Sequence, residues 1–225
     1  MIEQPKVTLC YRNYKEQGNI CVLHPIDDLK IYVTANAVDE ISFTIHKYNN
    51  GVEFEHWDKI KSLNVVYVED FGYFEVTVDT TESDDTRKVV VGASIEVELA
   101  QIYIDSLEIN GEIDKDISSN WTSDGSYIQT TIYNESDPEH SLLHRLLSNV
   151  AHWSFGEISE SITEDGSDSA TFTVHRTFNF TNTNVYDALQ EIAKELDVVF
   201  TFDTVNRKIN MYDLNKIGKD TTIFV

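Results

Sequence analysis

The fold is decided by residues 184–212, which read NVYDALQEIAKELDVVFTFDTVNRKINMY. Asn184 has the side chain of a helix cap, and Asp187 lies three residues on as its reciprocal partner. The positions that share one helical face are apolar, and they are Val185, Ala188, Leu189, Ile192 and Leu196. After the helix the apolar residues recur at every second position, which is typical of a strand, at Val198, Phe200 and Phe202. A turn at 203–207 follows, and Ile209 and Met211 continue the same alternation. The stretch therefore predicts a helix over 185–196 packed on a β-hairpin over 198–212.

The first hundred residues have the alternation of β-strands. Ile41, Phe43 and Ile45 alternate with polar neighbours. Strands are also predicted over 64–69 and 73–79, joined by a turn at 70–72, and over 87–92 after a polar turn at 81–86. A single helical turn fits residues 57–62. Short strands at this spacing predict a small barrel or sandwich over 1–100.

The middle of the chain, 101–169, is predicted to be a connecting α+β segment. It has a polar loop over 116–127, a strand over 129–133 and an acidic, exposed hairpin loop over 160–169. Between them a helix is predicted over 138–151, with Asp137 as its cap and Pro138 at its first position. The apolar stripe of this helix comprises Leu142, Leu143, Leu146, Leu147 and Val150.

The last segment, 170–225, begins with strand alternation over 170–180 and continues into the helix and hairpin. We expect it to be the start of a second barrel-like domain that is incomplete here, because the final residues 223–225 are still apolar and strand-like. The sequence thus predicts an α+β fold that is mainly β, with two small β-barrel-like domains and an intervening α+β segment.

The charge balance excludes some functions. The 225 residues include 39 acidic and 17 basic side chains, a formal net charge of −22. Direct nucleic-acid binding is disfavoured, because affinity for phosphate depends on clustered Lys and Arg. The acidity indicates either a soluble surface that resists adhesion or a surface past which DNA slides.

The N-terminus and the lack of a long apolar run predict a protein that is made and kept in a cytoplasm, at least at first. No apolar run approaches the roughly 18 residues that span a bilayer. The first residues lack the basic and apolar regions of a signal peptide. Cys10 and Cys21 are expected to be free, partly buried thiols, although a disulfide between them is geometrically possible.

The sequence assigns no catalytic, cofactor-binding or metal-binding residue, and no cofactor. His140 and His144 have metal-ligand spacing, but surface histidines beside an apolar stripe are the favoured interpretation. Residues 163–169 resemble a calcium loop without the spacing of one, and a polar turn is favoured. Of the three tryptophans, Trp153 is expected in the core, and Trp121 is the one to test for glycan contact.

Several segments together resemble one family, the N-terminal hub region of phage and prophage tail proteins, which includes tail-associated lysins, prophage tail endopeptidases and minor structural proteins. They occur in the expected order over nearly the whole chain, and they are residues 40–45, 71–76, 92–100, 107–110, 142–147, 153–158 and 185–212. The resemblance implies a baseplate-hub-like fold. Catalytic or host-binding parts of that family lie beyond the region matched here, so no activity is carried over and no enzyme is expected.

The resemblance also implies an assembly. It predicts a homotrimer in which two similar modules per subunit give a pseudo-sixfold ring, and a closed ring leaves no interface open to fibre growth. The implied partners are further copies of the chain, a tail tube or distal tail protein ring, and a spike, a tape-measure protein or C-terminal receptor and lysin domains. DNA would pass through without specific binding, and nothing would be embedded in a membrane. Acidic clusters at 84–85 and at 164–168 are candidates for the lumen, although outer loops are favoured.

Two other functions are alternatives to the hub. A carbohydrate- or cell-surface-binding β module is the first alternative, because the chain has many strands and an exposed candidate in Trp121. A hydrolase is the second, and only the downstream domains of the family favour it.

Overall fold

The computed structural model describes residues 5–11, 18–33, 37–109, 132–158, 161–162, 168–169 and 177–214, with backbone alone at 161–162 and 168–169. The fold is mainly β. The chain forms two compact units. The first comprises the described residues within 5–97 together with the turn 203–207, and the second comprises those within 98–202 and 208–214. Among the described residues, no helix is both long and apolar enough to cross a membrane.

Nine strands lie among the described residues of the first unit. They are β1 Val7–Cys10, β2 Asn19–Val22, β3 Ile26–Tyr32, β4 Glu40–His46, β5 Tyr48–Asn49, β6 Val52–Glu53, β7 Asn64–Val68, β8 Gly72–Asp79 and β9 Arg87–Ser94. Seven of them form one antiparallel sheet in the order β2-β1-β7-β8-β9-β4-β3. β5 and β6 pair as a separate hairpin. The strands predicted over 64–69, 73–79 and 87–92 are confirmed to within two residues.

The seven-stranded sheet is curled like half a barrel. Its two edge strands, β2 and β3, are joined by three residues, 23–25. A flat sheet would separate these edges by six strand spacings, about 29 Å, whereas the short connection reaches at most about 14 Å. The sheet must therefore bend until its edges approach one another.

The concave side of this sheet holds the core of the first unit. Alternate residues of β4 and β8 are buried and pack against buried residues of β1, β7 and β9. The core comprises Val7, Leu9, Leu23, Ile41, Phe43, Ile45, Trp57, Ile60, Val66, Val68, Phe74, Val76 and Val90. The 3-10 helix Trp57–Lys59 covers part of it, at the place where one helical turn was predicted. Lys88 fixes this turn, because its ammonium donates to the carbonyls of Trp57 and Ile60 at 2.7 and 2.9 Å.

The described residues of the second unit form seven further strands and two α-helices. They are β10 Tyr103–Ile109, α1 Leu142–Leu147, β11 Ser154–Ile158, β12 Ser161–Ile162, β13 Asp168–Ser169, β14 Phe178–Asn184, α2 Val185–Leu196, β15 Val198–Asp203 and β16 Lys208–Asp213. β10 pairs antiparallel with β14, and β11 lies parallel to β16 in the sheet β11-β16-β15. The predicted connecting segment and the predicted start of the second domain therefore share two sheets.

The helix–hairpin prediction is confirmed. α2 spans Val185–Leu196, and the amide of Asp187 donates to the Asn184 side chain at 2.8 Å, while the Asn184 amide donates back to the Asp187 carboxylate at 2.7 Å. The ring of Tyr186 stacks on Phe202 of β15 with centroids 5.9 Å apart. The predicted apolar stripe is buried at Val185, Ala188, Leu189 and Ile192, and Leu196 is half-buried.

The helix predicted over 138–151 is wrong in length. Residues Pro138–His140 form a 3-10 turn, and α1 begins only at Leu142 and ends at Leu147. The backbone of Ser141 between them is extended, with φ −113° and ψ 120°. Asp137 makes no side-chain cap and its carboxylate instead lies 2.8 Å from His140 Nδ1. The apolar stripe is nevertheless buried as predicted at Leu142, Leu143, Leu146, Leu147 and Val150.

Several predicted elements lie outside the described residues. These are the loop over 116–127, most of the strand over 129–133 and residues 170–176 of the strand over 170–180. The hairpin over 160–169 is described by the pairing of β12 with β13.

Candidate functional site

The described residues bring Asp137, His140, Ser141 and His144 into one short segment, which has the side-chain types of a nucleophilic triad. Asp137 holds His140, with Oδ1 and Oδ2 at 2.9 and 2.8 Å from Nδ1. His144, a different histidine, lies with Nδ1 2.9 Å from the Ser141 hydroxyl. A triad needs one histidine between the acid and the nucleophile. The two contacts here involve two histidines, so they do not form one.

Ser141 and His144 have structural roles. The Ser141 side chain is 0% exposed, accepts a hydrogen bond from the Asn134 amide at 3.2 Å and lies 3.5 Å from the Ile132 carbonyl. The His144 ring stacks on Tyr133 at 4.9 Å and meets the edge of Phe155 at 5.6 Å. Burial lowers the pKa of His144, which favours the neutral ring. The segment anchors α1 to the chain on either side.

The spacing of His140 and His144 does not build a metal site in the structure. The Nδ1 atom of each ring faces a neighbouring side chain, as described above. Within the described part of the chain, no group of three or more His, Cys, Asp or Glu side chains could hold a metal ion. The calcium-like segment 163–169 lies outside the described side chains.

The acidic cluster at 84–85 closes a turn. The Asp84 carboxylate accepts hydrogen bonds from the Thr86 hydroxyl and amide, both at 2.7 Å, and from the Arg87 amide at 2.8 Å. The Thr86 hydroxyl is the largest cause that lowers the pKa of Asp84. Asp79 binds Thr81 in the same way. The side chains of Glu164, Asp165 and Asp168 lie outside the described set, so their place at a lumen stays a prediction.

Two of the tryptophans belong to the cores. Trp57 and Trp153 are 7% and 6% exposed, which confirms the core position predicted for Trp153. Trp121 lies outside the described residues, so its contact with glycans also stays a prediction. Both cysteines are free, and Cys10 is buried while Cys21 is half-buried, as the sequence predicted.

A buried carboxylate is one feature that the sequence did not single out. Glu96 is 3% exposed at the start of the 3-10 helix Ile95–Gln101. Its carboxylate accepts a hydrogen bond from the Ser94 hydroxyl and another from the Asp39 backbone amide. Burial raises the pKa of Glu96. Nothing in its sequence neighbourhood indicates burial, because the motif alternates acidic and apolar residues.

A cleft in the second unit is the other such feature. It has a volume of about 410 Å³ and lies between β10 and α1, where Arg145 is the basic residue among those that line it. The sequence carried no signal for this cleft, because its two walls are about 40 residues apart in the chain. A cleft bordered by a strand edge is suited to binding another polypeptide.

The chain is similar to solved structures of tail proteins. Prophage tail protein gp18 from Listeria monocytogenes EGD-e superposes with a TM-score of 0.58 at 15% sequence identity, over 98% of this chain and 54% of that one. A tail protein from Neisseria meningitidis MC58 gives a TM-score of 0.47 at 10% identity, over 93% of this chain and 50% of that one. No protein-family model and no curated protein sequence matches the chain.

The chain therefore has the fold of a phage tail protein. At 15% identity the likeness to the Listeria protein is one of fold. The chain spans about half the length of each of these two structures, 54% and 50%.

Proposed function

We propose that this chain is a structural hub of a phage or prophage tail tip or baseplate. Three copies form a pseudo-sixfold ring that joins the tail tube to the distal tip and lets DNA pass during ejection. The observation that carries the proposal is the likeness of fold to a prophage tail protein over 98% of the chain. In this role the protein acts by its shape, as a virion component without enzymatic activity.

The curled sheet of the first unit supports a ring-forming role. Its order β2-β1-β7-β8-β9-β4-β3 gives a barrel-like module with two edges, which is the kind of module that the hub resemblance implies. The second module of each subunit would be formed by the second unit, in which β10 and β11 pair with strands of the segment 170–225. Three subunits with two modules each would then match a sixfold tube.

The net charge supports passage of DNA. A ring of three copies carries a large excess of negative charge, since each copy has 39 acidic and 17 basic residues. Phosphate is repelled from acidic surfaces, so a lumen lined by such side chains would not hold the DNA. The partners would be a tube or distal tail protein ring and a spike, tape-measure or receptor component. Assembly would take place in the host bacterial cytoplasm, and the mature protein would reside in the virion tail.

The test is imaging of the assembled tail together with the mass of the purified chain. We expect an averaged particle image to contain a threefold collar with a central channel at the tip, and light scattering at high protein concentration to detect a trimer. A protein that is monomeric both in solution and in every particle would overturn the proposal. A monomer in dilute solution alone would not, because a ring of weak contacts can need its neighbours to close.

A further inference from the structure

The cleft between β10 and α1 has a strand edge as one wall. Six consecutive residues of the chain, 102–107, line it on that side, and Arg145, Leu146, Ser148 and Asn149 line it on the other. Val185, whose amide bonds to Ile102, lines one end of the cleft. Its volume of about 410 Å³ is within the range of sites that bind ligands, roughly 300–1,000 Å³. Tyr103 stands at this wall with 73% of its surface exposed.

The register of β10 against β14 fixes which backbone groups of β10 face β14 and which face away from it. The Val185 amide donates to the Ile102 carbonyl at 3.0 Å, and Ile104 and Ser106 lie opposite Thr183 and Thr181. In an antiparallel pair, hydrogen-bonded positions alternate along the strand. The amides and carbonyls of Ile104 and Ser106 therefore point at β14.

The residues between them point the other way. The amides and carbonyls of Tyr103, Asp105 and Leu107 face away from β14. Residues 102–107 line the cleft without a break, as expected where the edge of a strand and not one face borders it. Within the described residues the sheet has two strands, so no third strand pairs with this edge of β10. Such an edge is a template for one more strand.

The charge of the opposite wall indicates what that strand would carry. Arg145 is half-buried, and none of the acidic side chains in the described part of the chain lies within 4.0 Å of its guanidinium. A guanidinium binds a carboxylate through two parallel hydrogen bonds. Asp105 also lines the cleft, and its carboxylate opposes the entry of an acidic group.

We propose that this cleft binds an extended segment of a partner protein, which adds a strand to β10 and places an acidic side chain against Arg145. Backbone hydrogen bonds to Tyr103, Asp105 and Leu107 supply the affinity, and the guanidinium selects the register. The site does not depend on the ring, since all of its groups belong to one unit of a single chain.

The direct test uses a synthetic peptide as the probe, acetyl-Thr-Val-Glu-Val-Thr-amide, and amide hydrogen exchange as the measurement. We expect the peptide to slow exchange at Tyr103, Asp105 and Leu107, and to leave Ile104 and Ser106 unchanged because these amides are already bonded. The peptide with Gln in place of Glu should bind roughly tenfold more weakly or worse.

Two matched pairs of variants separate the backbone contribution from the charge. Asp105→Pro and Asp105→Asn both remove the carboxylate, but only the proline removes the amide that faces the cleft. We expect Asp105→Asn to bind at least as tightly as the wild type and Asp105→Pro to lose binding, with unchanged circular dichroism. Arg145→Met should weaken binding roughly tenfold, whereas Lys194→Met, which removes an exposed cation on α2, should not.

Three outcomes would overturn the proposal. They are equal binding by the two Asp105 variants, equal binding by the Arg145 and Lys194 variants, and no protection of β10 amides at a peptide concentration of about 1 mM, where even weak complexes form. None of these outcomes bears on the hub, which is tested by the symmetry of the particle.

Discussion

Glu96 is a carboxylate inside the first unit. Burial raises its pKa above the ordinary value of 4.5, and the neighbouring Asp39 raises it further, while the bond from Ser94 lowers it. Compared with the unfolded chain, the fold therefore stabilises the protonated form of Glu96 more than the charged form. Its contribution to stability is fully present below pH 4.5 and is lost as the pH rises through the raised pKa.

A variant with a neutral isostere isolates this effect. We expect Glu96→Gln to lose less stability than the wild type when the pH is raised from 4 to 8, because the amide never ionises. The measurement is the urea midpoint of both proteins across that range. Both carry the same remaining acidic residues, so parallel pH profiles would show that the carboxyl group of Glu96 does not titrate differently in the fold.

Lys88 is a cation with a structural role. Its ammonium lies 4.3 Å from the Trp57 ring centre and donates to two carbonyls of the 3-10 turn. Lys88→Met should lower the free energy of unfolding by about 1–3 kcal/mol, because two buried carbonyls lose their donor. The measurement is urea denaturation.

The control for Lys88→Met is Lys30→Met, which removes the same charge from an exposed position on β3. Its effect should stay within about 0.5 kcal/mol. Equal losses in the two variants would attribute the effect to net charge and not to the turn.

At the scale of elements, α2 owes its first turn to a reciprocal cap. Asn184→Ala removes the acceptor for the Asp187 amide and should cost about 1 kcal/mol. Asn184→Ser keeps an acceptor and should restore most of that stability. Thermal denaturation of both variants measures the difference, and an alanine variant as stable as the serine variant would exclude the cap as the cause.

Two turns of the first unit each contain a glycine with positive φ, and only one of these glycines has an atom near the position that a Cβ would take. Gly72, with φ +96°, begins β8, and a Cβ there would meet the hydroxyl of Thr204 in the turn 203–207. Gly51, with φ +80°, closes the β5–β6 hairpin and has no atom within 4 Å of such a Cβ.

The substitution of alanine should therefore lower the free energy of unfolding by different amounts at Gly51 and Gly72. Gly51→Ala should cost about 1 kcal/mol, which is the strain of the left-handed conformation alone. Gly72→Ala should cost more, since the Thr204 side chain must also shift and its bond from the Tyr73 amide, 2.9 Å long, is disturbed. Equal changes in melting temperature would mean that the contact contributes nothing.

These elements also show what a sequence can predict. The bounds of α2 follow from a cap and a stripe that lie within 13 consecutive residues, and the structure confirms both. The helix over 138–151 was predicted from an equally clear stripe. It is interrupted at Ser141 because the buried hydroxyl of that residue bonds to chain nine residues upstream, a contact that no local pattern contains.

The parallel pairing of β11 with β16 could not be predicted from the sequence either, because it too joins distant parts of the chain. Phe155 and Ile209 lie opposite each other across 54 residues, and their alternation is equally compatible with many registers. Glu96 and Arg145 could not be singled out either, because their surroundings are built from distant segments.

At the scale of the whole molecule, the charge of −22 per chain opposes any contact between copies. Salt screens this repulsion, with a Debye length of about 10 Å at 0.1 M and about 3 Å at 1 M. We expect self-association to strengthen as salt is raised, seen as a larger sedimentation coefficient at a fixed protein concentration. Dissociation by salt would instead indicate contacts held by ion pairs.

The three residues that join the margins of the curled layer act as a tether. The length of this connection limits the distance between the edge strands β2 and β3, whichever side chains form the core. To reduce the curvature of the sheet, a protein engineer would lengthen this connection before changing any side chain of the core. Shortening it by even one residue would tighten the curvature of the entire layer.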